Sequence, residues 1–440
     1  MRPDESRKRR ALALSVCVIA ILGVMAAPLP TTEREIVRSV DAHNAEALAL
    51  LERVVNINSG TQNFVGVREV GKIFRAELDA LGFTTQWIDG TPWHRAGHLV
   101  ATHPGSAPKM LLIGHLDTVF ERDSPFQKFQ RVDARTAKGP GAIDMKGGDV
   151  IIVFAMKALE AAGALKAMDV TVVMTGDEED PGELQSRARA PLIAAAKGRD
   201  IAIGFEDGPG DPEYAVTARR GTAGWELRVK GMPAHSSQVF RPDIGAGAIY
   251  EAARILNAFR EKLSSEEHLT FNPGTIVGGT SVTFDPAQAR GSAFGKTNVV
   301  AEQTIVSGDL RTLSKAQLDH AKKSMQEIVA AGLPHTQAAI TFDEGYPALA
   351  PTEGNAKLLA VYDRASQDLG FGSVRAVSPD KAGAADVSFV AGEVKMIMDG
   401  VGLMGHDDHT AGETADLSTL PSQTKRAAVT LYRLSKGLPR

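Results

Sequence analysis

Three short apolar runs in this chain end in acidic or imidazole side chains, and no other feature constrains the fold as much. Lys109-Met110-Leu111-Leu112-Ile113-Gly114 leads into His115-Leu116-Asp117. Residues 170–175 lead into Gly176-Asp177-Glu178-Glu179-Asp180, and residues 201–205 end in Glu206-Asp207. Short apolar runs bounded by turn residues read as buried strands, and apolar residues at helical spacing over 33–55, 67–81, 149–162 and 187–197 read as helices. Strand and helix in alternation predict an α/β fold, a mainly parallel sheet with helices on both faces. Ligands of open α/β sheets bind in the crevice beyond the strand C-termini, so the polar endings are expected to meet.

The texture changes near Arg219. Residues 224–230 alternate like a half-exposed strand, 244–263 are helical, and strand-like runs follow at 269–277, 298–300 and 304–310. A helix over 315–331 and a strand over 338–342 complete an α+β order with antiparallel pairing. After Pro351 the first texture returns, with a helix to about residue 369, a strand at 395–398 and a closing helix from 421. The expected organisation is a catalytic domain in two parts, 31–218 and 335–440, interrupted by an inserted domain over 219–334.

Residues 1–30 stand apart. Arg7-Lys8-Arg9-Arg10 precedes an apolar run over 11–27 and then Pro28-Leu29-Pro30, the layout of an export signal, with cleavage expected after Ala26. The alternative is an uncleaved N-terminal membrane anchor, the run being at the short limit for a span. The expected location is therefore periplasmic or secreted. The single cysteine, Cys17, lies in this segment, so a disulfide framework is excluded. With 49 basic and 53 acidic residues and no long block of like charge, the chain offers no nucleic-acid surface. At 43% hydrophobic and 23% charged residues it is neither disordered nor a multi-span membrane protein.

The chemistry concentrates at the strand ends. His115 and Asp117 share one face by the period of two, and the glycine-rich stretch Gly139-Pro140-Gly141-Ala142-Ile143-Asp144-Met145-Lys146-Gly147-Gly148 delivers a carboxylate just before a helix. A lone acid after a strand is usually a turn former or helix cap. Several gathered together repel one another and desolvate badly, and a dication relieves both. Imidazole and carboxylate without thiolate suit Zn²⁺ and tolerate Mn²⁺ or Co²⁺. Near the C-terminus, His406-Asp407-Asp408-His409-Thr410-Ala411-Gly412-Glu413 supplies further ligands. His94, His98 and His103 lie in a turn-rich approach to a strand and are expected to face solvent.

Taken in order, Gly114-His115-Leu116-Asp117-Thr118-Val119, the 139–148 loop, residues 175–179, Phe205-Glu206 and His409-Thr410-x-x-Glu413 resemble the motif set of a di-zinc exopeptidase family. That family includes glutamate carboxypeptidase, aminoacylase, succinyl-diaminopimelate desuccinylase and acetylornithine deacetylase. The resemblance covers nearly all of the chain after about residue 40. It implies that Asp144 bridges two zinc ions, one also bound by His115 and Glu206, the other by Glu179 and His409. It further implies that Asp117 orients His115, that Glu178 is the general base, and that the Asp144–Met145 peptide is cis. His409 rather than His406 fits the ligand position.

For the inserted domain the resemblance implies a ferredoxin-like lid and dimerisation module. Gly231-Met232-Pro233-Ala234-His235-Ser236-Ser237 is similar to the lid motif whose histidine reaches the partner subunit's active site and stabilises the oxyanion, which makes the active unit a homodimer. Asn298 and Arg311 match the pair that receives the substrate's terminal carboxylate, although Arg311 could instead pair with Asp309. Glutamate-releasing members carry an arginine where Asp343-Glu344-Gly345-Tyr346-Pro347-Ala348 offers Tyr346. The reading is an exported hydrolase cleaving an amide next to a free carboxylate in small peptides or N-acyl amino acids. A deacylase or dipeptidase of the same fold is the nearest rival. An aminopeptidase would need an acidic specificity pocket. A catalytically silent metal-binding or assembly protein would lack a general base, whereas Glu178 is present.

Overall fold

Residues 110–113 are buried on both sides of their strand, and this gives the molecule its layers. In the computed structural model, which describes residues 29–286 and 288–439, the strand Ser106–His115 lies between Met168–Thr175 and Ile201–Gly204 and parallel to both. The leader expected over residues 1–30 lies almost wholly outside the described residues. The six-stranded sheet has the order 84–89, 97–103, 168–175, 106–115, 201–204, 396–398. Met110 and Leu112 face one core with the helices Thr31–Val55, Gly147–Ala161 and Thr419–Ser435. Leu111 and Ile113 face the other, with Leu192 and Ala196 of the helix Gln185–Ala196. Strands covered on both faces need continuous apolar sequence, which is what the runs supply.

The chain order around the central strand positions the site. From Ser106–His115 the chain crosses by Gly147–Ala161 to Met168–Thr175 on one side, then by Gln185–Ala196 to Ile201–Gly204 on the other. Because such crossovers keep one hand, reversing direction puts the two helices on opposite faces and opens a crevice at the strand ends. Thr31–Val55 and Thr419–Ser435 are joined by Arg433, whose Nε and Nη2 donate to the two carboxylate oxygens of buried Glu33 at 2.9 and 2.8 Å. Among the described residues no helix is long and apolar enough to cross a membrane.

The antiparallel pair Thr84–Asp89 and Gly97–His103 extends one edge of the sheet and corrects the histidine expectation. His98 is fully buried there, not solvent-facing. Its Nδ1 accepts from the Gly176 N–H at 3.2 Å and its Nε2 donates to the Ala188 carbonyl at 2.7 Å, so two main-chain groups satisfy both ring nitrogens. His103 is half-buried, its Nδ1 3.0 Å from the Met168 carbonyl, and only His94 is exposed as expected.

The inserted unit has the order Gly221–Gly231, Ala248–Leu263, Thr270–Gly279, Gln303–Thr312, Lys315–Ala330, Thr336–Phe342. Its four strands pair antiparallel in the order 270–279, 303–312, 221–231, 336–342, a ferredoxin-like sheet. A separate core of Trp225, Leu227, Ile255, Phe259, Leu310 and Met325 fills the space under its helices. The strand 336–342 pairs with 221–231, so the boundary drawn at 334 falls one strand too early. Residues 298–300 do not form a strand. Val299 makes a single bridge to His235, and an exposed hairpin, Ser281–Asp285 with Arg290–Phe294, precedes it.

A lid with its own core can be weakened alone. Phe259→Ala, at a fully buried position packed edge-on against Trp225 at 6.0 Å, is expected to cost about 3–5 kcal/mol in denaturant unfolding of the lid. Bound metal measured by mass spectrometry should stay at the wild-type level.

Candidate metal centre

Each strand ending contributes one side chain to a single cluster. His115 closes the central strand, and its Nε2 lies 3.0 Å from Asp144 Oδ1 and 3.7 Å from Glu206 Oε1. His409 Nε2 lies 2.8 Å from Asp144 Oδ2 and 3.2 Å from Glu179 Oε2. Two sets of donor atoms result, His115–Asp144–Glu206 and Asp144–Glu179–His409, with the atoms of each within 4.8 Å of one another. Asp144 belongs to both, one oxygen to each. All five metal ligands expected from the sequence are thus brought together.

The loop carrying Asp144 is held by its main chain. Glu413, fully buried, accepts from the N–H groups of Gly141 and Ile143 at 2.9 Å each and of Asp144 at 3.4 Å. Gly141 sits at φ +71°, where a Cβ would fall 2.4 Å from Thr118 Cγ2. The Asp144–Met145 peptide is cis, as expected. Glu413 stood in the sequence motif without a role; no spacing rule reveals that a carboxylate caps backbone donors 270 residues away.

The Glu178-Glu179 turn is organised by Asp117, a task that the sequence does not reveal. Asp117 is fully buried, and it accepts from the N–H of Glu178 at 3.0 Å, the N–H of Glu179 at 3.2 Å and the Thr61 hydroxyl at 2.6 Å. His115 Nδ1 is 3.1 Å from the main-chain oxygen of Asp117 and 3.6 Å from its carboxylate. The carbonyl therefore fixes the imidazole, because the chain turns after His115 and presents it first, while the carboxylate is spent on the acidic turn. Glu178 projects into a cavity of about 300 Å³ also lined by Asp144, Glu206, Asp207, Arg219, Lys381, Asp408 and His409. Among the described residues nothing hydrogen-bonds its carboxylate.

The electrostatics are those of a cation site. Burial pushes Glu179 up to about 8 and Glu206 up to about 7. Burial and then Asp386 raise Glu178 well above the ordinary range. His409 is held up at about 11 by its bonds to Asp144 and Glu179. Burial opposes charge on His115, but Glu206 and Asp144 together outweigh it and lift the ring well above an ordinary imidazole. Asp144 is lowered, its burial outweighed by the two imidazoles. One buried oxygen, Glu179 Oε1, has no hydrogen-bond partner. Carboxylates and imidazoles crowded at one buried point, with an orphaned acceptor, fit divalent cations.

The lid residues lie elsewhere. Ser236 N–H donates to the Asn298 carbonyl at 2.9 Å and Val300 N–H to the Ala234 carbonyl at 2.9 Å, which sets His235 beside Asn298 on the lid surface. His235 is exposed, its Nδ1 2.8 Å from Ser237 Oγ. Arg311 donates from Nε to Asp309 at 2.9 Å, the pairing that competes with a substrate role. None of the three lines the metal cavity of its own chain. His406 is exposed and bonds Asp407 at 2.8 Å, outside both donor sets. Sequence reading missed Thr61, Arg219 and Lys381, which have no motif of their own, and gave Asp207 no role beyond the strand ending it shares with Glu206.

Fold and site together define a two-domain hydrolase with paired divalent-metal sites at the end of an α/β sheet. The model of peptidase family M20/M25/M40 matches residues 111–433, and the chain belongs to that family. Carboxypeptidase G2 of Pseudomonas sp. (strain RS-16) is 26% identical over 444 residues, covering 99% of this chain and all of that protein. A probable succinyl-diaminopimelate desuccinylase of Staphylococcus epidermidis is 29% identical over 51% of this chain and 53% of its own length. In fold the chain is similar to aminopeptidase PepT from Bacillus cereus, with TM-score 0.68, 17% identity and coverage of 89% and 98%. It is also similar to the M20 family metallo-carboxypeptidase Sso-CP2 from Sulfolobus solfataricus, with TM-score 0.62, 16% identity and coverage of 89% and 100%. The protein is a metal-dependent peptidase or amidohydrolase.

Metal and protons compete for the same atoms. Loading two cations near pH 7.5 should release protons from His115 and His409, seen as a buffer-dependent heat in calorimetry, and affinity should weaken as pH falls. Glu413→Ala should weaken metal binding about 10–100-fold through its loop, although it touches no cation.

Proposed function

We propose that this chain is an exported di-zinc carboxypeptidase or amidohydrolase that cleaves an amide next to a free carboxylate in small peptides or N-acyl amino acids. The observation carrying the reading is the free Glu178 carboxylate on the wall of a cavity that also contains the doubly shared Asp144. His115, Glu206 and Asp144 would hold one cation; Asp144, Glu179 and His409 would hold the other. The thiolate-free donor set supports zinc and also suits Co²⁺ or Mn²⁺. A cation pair held there would supply polarisation of the scissile carbonyl and a lowered pKa for the attacking water.

The chain's own residues do the rest. Glu178 takes a proton from the water and returns it to the departing amine, a task helped by its raised affinity for protons. Arg311, whose present partner Asp309 is nearly half exposed, is free to exchange it for a substrate carboxylate, with Asn298 as a second donor. A second copy docked through the lid would bring its His235 to the oxyanion. The outer strand 270–279 is an open sheet edge, and Ile276, Ile249 and Phe294 near it are exposed, which supports such a dimer. The basic-then-apolar opening over residues 7–27 supports export. A second reading, an exopeptidase that binds a free amine, is favoured by Asp207 and Asp408 on the cavity wall.

A panel of dipeptides, N-acyl amino acids and their C-terminal amides separates these readings. Glu178→Ala should lower kcat about 10²–10⁴-fold with both cations retained, and His235→Ala about 100-fold. Arg311→Ala should remove the preference for free carboxylates over amides. Unchanged selectivity in that variant would overturn the role given to Arg311.

A further inference from the structure

The general base is gripped from two sides, and one of the grips comes from the lid connection. Asp117 holds the N–H groups of Glu178 and Glu179. The carbonyl of Glu178 accepts a hydrogen bond from the Tyr346 hydroxyl at 2.6 Å. That hydroxyl in turn accepts from Arg189 Nη2 at 3.1 Å, and the Tyr346 ring packs edge-on against Phe389 at 5.0 Å. Arg189 is fully buried and ion-paired with Asp177 and Asp386. Asp177 accepts from Trp93 Nε1 at 2.7 Å, and Asp386 from the Thr175 hydroxyl at 2.6 Å. Every neighbour of the hydroxyl is therefore anchored in the catalytic domain.

Tyr346 itself lies on the return connection from the lid, after the strand Thr336–Phe342. This connection is bonded to the outgoing one. Thr222 N–H donates to the Tyr346 carbonyl at 2.8 Å, and Tyr346 N–H donates to Thr222 Oγ1 at 3.1 Å. Arg219 and Leu349 exchange main-chain bonds at 2.9 and 3.0 Å. At Gly345 a Cβ would fall 2.2 Å from the Thr222 carbonyl, so the two crossings are in close contact. A rotation of the lid about this double crossing would carry Tyr346 with it and pull on the Glu178 carbonyl, while Asp117 keeps the N–H side fixed, so the turn would twist and re-aim the carboxylate.

We propose that Tyr346 is a positioning residue that makes the aim of Glu178 depend on the set of the lid. The proposal rests on Glu178 being the general base. Catalytic groups tolerate displacements of only about 0.5 Å, so losing one of two anchors acts on turnover more than on binding.

Tyr346→Phe removes the hydroxyl and keeps the ring. We expect kcat to fall about tenfold with KM changed less than about twofold and both cations retained. Thr222→Ala, which removes a hydrogen bond to the Tyr346 N–H and does not line the metal cavity, should lower kcat about threefold, and should add nothing when Y346F is already present. Wild-type kcat in Y346F, a rise in KM alone, loss of cations, or losses that multiply in the double variant would each overturn the proposal. Glu178→Ala is the control. If it stays active, the general-base reading fails and takes the proposal with it. If it is inactive while Y346F turns over at the wild-type rate, the proposal alone fails.

Discussion

Repulsion between carboxylates is the constraint around which this molecule is arranged. Asp117, Asp144, Glu178, Glu179, Glu206 and Asp207 crowd the end of one sheet, most of them largely out of contact with water. At such depth each ionised acid raises the cost of the next. Sharing Asp144 between two imidazoles, one oxygen to each, is what allows that residue to remain ionised where its neighbours are pushed up. A cation on each side extends the same solution to Glu206 and Glu179. The crossover order serves this end, since reversing direction at the central strand is what brings three strand termini around one crevice.

The cluster also depends on a loop that can approach closely. Gly148 lies against the Phe205 carbonyl, where a Cβ would fall at 2.0 Å, and this contact lets the helix Gly147–Ala161 begin directly beneath the site. Glu413 neutralises the loop's main-chain donors from above. Asp117 does the same for the acidic turn. Two buried carboxylates are thus used to hold backbone, and five other side chains are left to face the metals. Orientation by such supporting bonds is as much a part of a metal site as the ligands are.

Much of this was legible because chemistry interrupts pattern. His115, Glu179 and Glu206 stand out where apolar strands end, and Asp144 stands out within glycine. The layer architecture followed from runs such as 110–113, apolar on both faces. What stayed hidden was decided by main-chain partners, which leave no mark on side-chain spacing. His98 reads as a surface residue until the Ala188 carbonyl and the Gly176 N–H enclose it. The hold of Asp117 on the N–H groups of Glu178 and Glu179 was hidden for the same reason. Residues 298–300 looked like a strand because two valines adjoin, but Val300 is anchored by one bond to Ala234 and has no ladder to join. The strand 336–342 was legible by its alternation, but not that it joins the lid sheet, since its pairing with 221–231 is made by the main chain.

The division between domains bears on how binding energy reaches the chemistry. The residues assigned to the substrate's carboxylate and oxyanion, Arg311, Asn298 and His235, sit on the lid, away from the cavity that contains Glu178. A substrate held by both parts gains its full set of contacts only when the parts are correctly set, so contacts remote from the scissile bond are spent on organising the reacting groups. In the role proposed for it, Arg311 would exchange its bond to Asp309 for one to the substrate's carboxylate. The double crossing at Arg219–Leu349 and Thr222–Tyr346 is where that organisation must pass, because there the chain enters and leaves the lid. A tyrosine at that point, bonded to the Glu178 carbonyl, ties the lid connection to the residue proposed as the general base.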